Sequence, residues 1–164
     1  MRKVKVYLES SALWNLYYGE PGADLIEFCF NESEIICFSS EWSSLELARG
    51  IQKRVNQEEI TQIEGENLRK FIEVDLQTLV SKRHLFLLAI SHENIEQAKN
   101  YIHTYNLYSS DALHLATAVQ EGTKGMLVDD YHFNRLNRQI EEIEGQNIWS
   151  ITLEIQDFIE RLNN

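Results

Sequence analysis

Short apolar segments that alternate with helical segments constrain the fold of this chain more than any other feature. Each segment is five or six residues long and contains the Val, Ile or Leu residues typical of strands buried in a parallel sheet. They are VKVYL at 4–8, EIICF at 34–38, LFLLAI at 85–90, GMLVDD at 125–130 and NIWSI at 147–151. Because parallel strands are joined by helical crossovers, the pattern predicts a three-layer α/β/α sandwich around a parallel sheet of about five strands.

Helical periodicity fills the stretches between the predicted strands. Residues 57–81 are predicted to form one long helix or two, because their apolar stripe is imperfect. Serines in the segment 39–51 are available to cap a helix there. The other predicted helices cover 11–18, 23–31, 92–105, a segment that opens at 109–111, and 153–162. No repeat, linker or low-complexity tract interrupts this pattern, so residues 1–164 are predicted to be one domain.

Composition narrows the class of protein. A hydrophobic fraction of 43% with a single proline argues against disorder, and no apolar run is long enough to cross a membrane or to form a signal peptide. Cys29 and Cys37 lie in apolar surroundings without a C-x-x-C motif or histidines at ligand spacing. We therefore expect buried thiols in a cytoplasmic protein that has no membrane partner.

The net charge of −11 argues against a protein that binds nucleic acid through a broadly basic surface. An acidic chain still acts on nucleic acid when cations neutralise its carboxylates and a local basic patch meets the phosphates. Four segments offer such a patch, although each alone is more typical of a solvated helix face. They lie at 50–57, 68–70, 81–84 and 134–138.

The stretch SSDALHLATA at 109–118 has two interpretations. Ser109 or Ser110 is a good N-cap, and Asp111 in the first turn complements the positive end of the helix dipole. Alternatively, the helix holds Asp111 in place for chemistry. The apolar stripe that follows faces a core in either case and consists of Ala112, Leu115, Ala116 and Val119.

Acidic residues fall where an α/β sheet places its chemistry, beyond the carboxyl ends of the strands. Glu9 follows the first strand, and Asp129 and Asp130 follow the fourth. Glu46 lies in the helix after the second strand, and Asp111 opens a later helix. The topology thus predicts that carboxylates from distant parts of the chain meet at one edge of the sheet.

Such carboxylates repel one another unless a cation lies between them. Oxygen ligands from Asp and Glu suit Mg²⁺ or Mn²⁺, whereas Zn²⁺ favours His or Cys, which this edge is predicted to lack. Carboxylate-held Mg²⁺ or Mn²⁺ is what phosphodiester hydrolysis uses.

The order VYLESSAL, SSLELARG, SSDALHLATAVQEG and MLVDDYHF resembles the PIN-domain ribonucleases, especially the VapC-type toxins of bacterial toxin–antitoxin pairs. The resemblance runs from Val4 to Ile151. It implies an α/β/α fold and Mg²⁺- or Mn²⁺-dependent endonucleolytic cleavage of RNA, with a small antitoxin as partner. It also implies a catalytic, metal-binding set of Glu9, Glu46, Asp111 and Asp130, with Ser11 and Asp129 in support. Glu46 is preferred over Glu41 for the second acid on this resemblance.

Two departures from the family pattern keep an alternative open. This chain has Glu9 where the family usually has aspartate, and Val128 where a Thr or Ser is common. A PIN-like domain with weak or no catalysis, acting as a protein- or RNA-binding module, is therefore the second hypothesis. A receiver-type or phosphatase domain is disfavoured because the first strand lacks a nucleophilic aspartate, and a Rossmann domain because no glycine-rich turn follows that strand.

The remaining polar and aromatic candidates have ordinary interpretations. His114 and His132 are predicted to be surface histidines. Trp14, Tyr17 and Tyr18 are predicted to be core or dimer contacts rather than base-stacking platforms. Together with the apolar surface at 57–81, they predict a two-fold homodimer.

Overall fold

The computed structural model describes residues 3–19, 21–129 and 142–163. The strands in these ranges are β1 (Val4–Leu8), β2 (Ile35–Ser40), β3 (Leu85–Leu88), β4 (Gly125–Val128), β5 (Glu142–Ile143) and β6 (Gln146–Ser150). The helices in these ranges are α1 (Ser10–Tyr18), α2 (Ala23–Asn31), α3 (Trp42–Asn56), α4 (Gln62–Ser81), α5 (His92–Tyr105), α6 (Ser109–Glu121) and α7 (Ile155–Asn163).

The strands form one sheet in the order β3-β2-β1-β4-β6-β5. All neighbours pair in parallel except β5, which runs antiparallel to β6. The predicted parallel sheet is confirmed, with β5 as an additional short edge strand. The β5–β6 hairpin turns at Glu144 and Gly145, which both adopt positive φ, as a tight two-residue turn requires.

Helices cover both faces of the sheet, so the predicted three-layer architecture is confirmed. Along β1, Val6 and Leu8 face one apolar cluster, which includes side chains of α1, α2, α3, α4 and α7. Tyr7 points to the opposite face, where α5 and α6 pack. This alternation follows from the two-residue period of a strand and buries β1 on both sides.

Local hydrogen bonds shift several helix boundaries from their predicted positions. The long helix α4 is a single helix that begins at Gln62, because Thr61 and Glu64 form a reciprocal capping box. The expected serine caps are wrong for α3 and α6. Glu41 is the N-cap of α3 and Tyr108 that of α6, and neither side chain caps the helix. Ser109 and Ser110 lie inside the first turn of α6.

Other expectations concern membrane spans and thiols. Within the described ranges, no helix combines the length and apolarity needed to cross a bilayer. Cys29 and Cys37 are both buried free thiols, as predicted.

Candidate active site

Glu9 lies at the carboxyl end of β1 and begins α1 as its N-cap. Its carboxylate is 3% exposed. One oxygen accepts hydrogen bonds from the backbone N–H of Ser11 at 2.9 Å and from the Ser11 hydroxyl, and the other accepts from the Ser10 hydroxyl at 2.5 Å. The chain therefore folds back on Glu9 and fixes its carboxylate at the edge of the sheet.

Glu46 reaches the same edge from α3. The Ser110 hydroxyl donates to its Oε1, and His114 Nε2 lies 2.6 Å from its Oε2. Burial opposes ionisation of this carboxyl, but the hydrogen bonds from His114, Ser110 and Ser10 and the charge on His114 outweigh it, so the pKa of Glu46 is lowered. Glu41, the competing candidate, is exposed at the start of α3.

His114 is the residue that sequence reasoning missed. It was predicted to lie on the surface, and this is wrong, because the face of α6 that carries it packs on the sheet and leaves it fully buried. Its Nδ1 lies 2.8 Å from the Tyr7 hydroxyl, and its Nε2 lies 3.6 Å from Glu9 Oε1 in addition to the Glu46 contact. The available signal was its spacing of three residues from Asp111, which places both on one helix face.

The surrounding carboxylates determine the charge preferred by His114. Burial lowers its pKa, but the hydrogen bond to Glu46 and the charges of Glu9, Glu46 and Asp111 together raise the pKa above its ordinary value. The site therefore favours a proton on the imidazole when nothing else neutralises the acids.

Asp111 is buried in the first turn of α6 and is 5% exposed. Its charge acts on His114, so it adjoins the same group of side chains. Its place in the first turn also agrees with the helix-start interpretation. The position of Asp111 therefore fits both interpretations, the helix-start residue and the residue held in place for chemistry.

Ser11 connects the ends of the two central strands β1 and β4. Its hydroxyl donates to Glu9 and accepts the backbone N–H of Asp129 at 2.9 Å. Asp129 is half-buried and lines the cavity that contains Glu46 and Ser110. Asp130 and His132 lie outside the described residues, so their predicted roles stay predictions.

Among the described residues, ligand atoms of Glu9, Glu46 and His114 lie within 4.8 Å of one another and form the one group with the composition of a metal site. The expectation that this edge lacks histidine is therefore wrong. Two carboxylates and an imidazole form a donor set that divalent first-row metals accept. With Asp111 alongside, three formal negative charges face one imidazolium, so the buried group retains a negative excess that a divalent cation would neutralise.

Comparisons with known proteins agree with this architecture. One chain of a toxin–antitoxin complex from Klebsiella pneumoniae matches 80% of this chain and 92% of its own length, with a TM-score of 0.57 and 16% identity. One chain of VapBC2 from Rickettsia felis, bound to a DNA fragment from its promoter, matches 90% of this chain and 98% of its own length, with a TM-score of 0.57 and 13% identity. These identities support a shared fold only. No curated protein is similar enough in sequence to count as a relative.

The family assignment rests on the sequence itself. The family model for the PIN domain matches residues 6–139, which include Glu9, Glu46, Asp111 and the strands that carry the site. The match covers well over half of the chain. With the parallel sheet and the acidic edge described above, it establishes that this chain belongs to the PIN domain family.

Proposed function

We propose that this chain is a metal-dependent endoribonuclease in which Glu9, Glu46, Asp111 and Asp130 hold Mg²⁺ or Mn²⁺. The observation that carries the proposal is the meeting of the Glu9 and Glu46 carboxylates at one buried imidazole, whose pKa the charge of Asp111 also raises. Membership of the PIN domain family, whose members are generally nucleases, supports the reaction class.

The metal would supply two effects, a lowered pKa of bound water and stabilisation of charge on the attacked phosphate. The protein's own groups would orient its ligands. Ser10 and Ser11 hold the Glu9 carboxylate, and Ser110 and His114 hold one oxygen each of Glu46. Tyr7 fixes the imidazole ring from the opposite side, so His114 is a positioning residue in this proposal.

We also propose that the chain pairs with a small antitoxin in the cytoplasm and forms a homodimer. The antitoxin is supported by the two solved complexes of similar fold, each of which contains a toxin–antitoxin pair. The cytoplasm is supported by the free buried thiols, which suit a reducing compartment.

One observation favours a second candidate function, a PIN-like binding module without catalysis. The carboxylates of Glu9 and Glu46 already accept hydrogen bonds from serine hydroxyls, and His114 supplies a positive charge among them. The acids are thus partly satisfied without a metal. The longer side chain of Glu9, in place of the usual aspartate, adds to this candidate.

Cleavage of a labelled RNA in Mg²⁺, Mn²⁺ or EDTA separates the two candidates. We expect cleavage in the metals, none in EDTA, and loss of at least about a hundredfold in rate for Asp111→Asn. Glu27→Gln, an acid-to-amide change at an exposed position of α2, is the matched control and should retain the full rate. If the wild type cleaves no RNA in either metal but still binds RNA or a protein partner, the result would support the non-catalytic module.

A further inference from the structure

A cavity of about 510 Å³ opens from the candidate active site between α1 and α3. Its inner end is formed by polar groups of the site, including Ser10, Glu46 and Asp129. Its lining also includes two aromatic side chains, Trp14 and Trp42, and two basic side chains, Arg49 and Lys53. We call this space the α1–α3 cavity.

Two basic side chains line the α1–α3 cavity. Arg49 and Lys53 follow Glu46 by three and seven residues, so they lie on the same face of α3, one and two turns further along. Both are exposed, and neither forms an ion pair within the part of the chain that the structure describes. On a chain of net charge −11, these two cations beside the acidic site form a local positive patch.

Trp42 begins α3 one turn before Glu46, whereas Arg49 and Lys53 follow Glu46. Its indole N–H donates to the Ser110 hydroxyl at 3.2 Å, and that hydroxyl in turn donates to Glu46. Trp42 is 37% exposed as a residue although this hydrogen bond connects it to the site. Its orientation is therefore fixed while part of its aromatic surface remains open to a ligand.

Trp14 forms the opposite wall. Its ring stacks on Tyr18 with centroids 4.2 Å apart and lies against Gly50 of α3, where an added Cβ would come within 2.6 Å of the indole. Gly50 thus lets the indole approach the backbone of α3. The cavity is bounded by aromatic side chains on two helices and by cations along one of them.

We propose that the α1–α3 cavity binds single-stranded RNA next to the cleavage site, with a base on Trp42 and backbone phosphates on Arg49 and Lys53. This inference rests on the proposed ribonuclease function, since it assigns the substrate path of that site. Aromatic platforms combined with a positive groove are the means by which proteins bind single strands without reading sequence. An apolar peptide would leave both cations without partners, which makes a protein segment the weaker match.

The test measures binding apart from cleavage. A short fluorescein-labelled RNA is titrated by anisotropy in Ca²⁺ over a series of KCl concentrations, and a gel verifies that the RNA stays intact. Each single-strand phosphate contact contributes about 0.7 to the slope of log Kd against log salt. Arg49→Gln with Lys53→Gln should therefore lower the slope by about 1.4. Lys82→Gln with Arg161→Gln makes the same charge change at exposed residues that do not line the cavity and should lower it by less than half as much.

Two variants of Trp42 test the proposed stacking of a base on its indole ring. Trp42→Leu should weaken RNA binding about tenfold, whereas Trp42→Phe keeps a stacking surface and should stay within about threefold of the wild type. A merely structural role of Trp42 would make both variants similar. Thermal melting in Ca²⁺ verifies that each variant is folded.

The outcomes for the α1–α3 cavity and for the proposed function are separable. Equal slopes for the two double variants, or Trp42→Leu binding RNA as the wild type does, would overturn the cavity assignment even where Mg²⁺-dependent cleavage is observed. If the cavity variants instead abolish capture of an antitoxin while RNA binding persists, the cavity is a protein-docking surface and the proposal is wrong. RNA binding with the expected losses but no cleavage in Mg²⁺ or Mn²⁺ would retain the cavity assignment and reject the ribonuclease.

Discussion

His114 joins Tyr7 on one side to Glu46 on the other, and both contacts are buried or half-buried. His114→Ala should lower the free energy of unfolding by about 2–4 kcal/mol, because it opens a cavity and leaves a buried hydroxyl and a carboxylate without their partner. Tyr7→Phe keeps the ring and removes one hydrogen bond, so it should cost only about 1 kcal/mol. Urea denaturation in EDTA measures both, and equal losses would contradict the central role of His114.

The same residue predicts a pH dependence for the metal-free protein. The raised pKa of His114 contributes stability that is full below its ordinary value of 6.5 and is lost as pH rises through the folded pKa. The lowered pKa of Glu46 contributes stability that is full above its ordinary value of 4.5 and is lost as pH falls through the folded pKa. The joint contribution is therefore greatest between pH 4.5 and 6.5.

Urea denaturation of the wild type and His114→Gln over a pH series in EDTA measures this contribution. The difference between the two proteins should be largest inside that window and shrink on both sides. A difference in unfolding free energy between the two proteins that grows steadily towards alkaline pH would contradict this prediction.

Asp111 distinguishes a helix-start residue from a metal ligand. Asp111→Asn relieves repulsion from two carboxylates but loses attraction to the His114 imidazolium, so the metal-free melting temperature should change little. Saturating Mn²⁺ should raise the melting temperature of the wild type and leave that of Asp111→Asn nearly unchanged. Equal metal-induced shifts would assign Asp111 to the helix alone.

Residues that follow strands could be placed from the sequence, because strand ends and sheet edges are tied together by topology. Glu9 and Glu46 meet for this reason. The burial of His114 could not be predicted in this way, since it depends on the rotation of α6 about its axis against the sheet. The apolar periodicity of a sequence defines the rotation of a helix about its axis only to within about one residue.

Helices and strands with strong local sequence signals could be predicted, whereas those with weak signals could not. The helices at 23–31 and 92–105 have the predicted bounds, because Gly22 precedes the first, and Ser91 caps the second, which ends at Asn106 in the left-handed conformation. Glu58 takes a positive φ and Thr61 restarts the helix, which separates α3 from α4 more sharply than apolar periodicity suggested. The two-residue strand β5 carries too little pattern for any prediction.

The packing of α1 on α3 predicts an unusual response to a helix-favouring substitution. Gly50→Ala should gain about 1 kcal/mol in helix propensity, but its Cβ meets the Trp14 ring, and overpacking costs about 1–3 kcal/mol. We expect a net loss of stability in the wild type. In a Trp14→Leu background the same substitution should become neutral or stabilising, and thermal denaturation of the four proteins of this cycle measures the coupling.

For the whole molecule, the exposed outer face of α4 predicts self-association. Ile63, Phe71 and Val74 on this helix are 71%, 59% and 64% exposed. Apolar side chains concentrated on one helix are typical of an interface, and a two-fold homodimer would cover them. Light scattering should give twice the monomer mass, and Phe71→Asp should shift it towards the monomer. A monomer mass for the wild type at micromolar concentration would contradict this expectation.

The strand order has a consequence for synthesis of the protein. Strand β1 leaves the ribosome well before its neighbour β4, because the paired residues Val6 and Gly125 are far apart along the chain. The hydrogen bond that ties Asp129 to Ser11 waits for β4, and the contact of His114 with Glu46 waits for α6, which directly precedes β4. A nascent chain that has not reached β4 therefore cannot assemble the acidic edge. For the proposed ribonuclease, this order of assembly keeps the site incomplete until β4 and Asp129 have been translated.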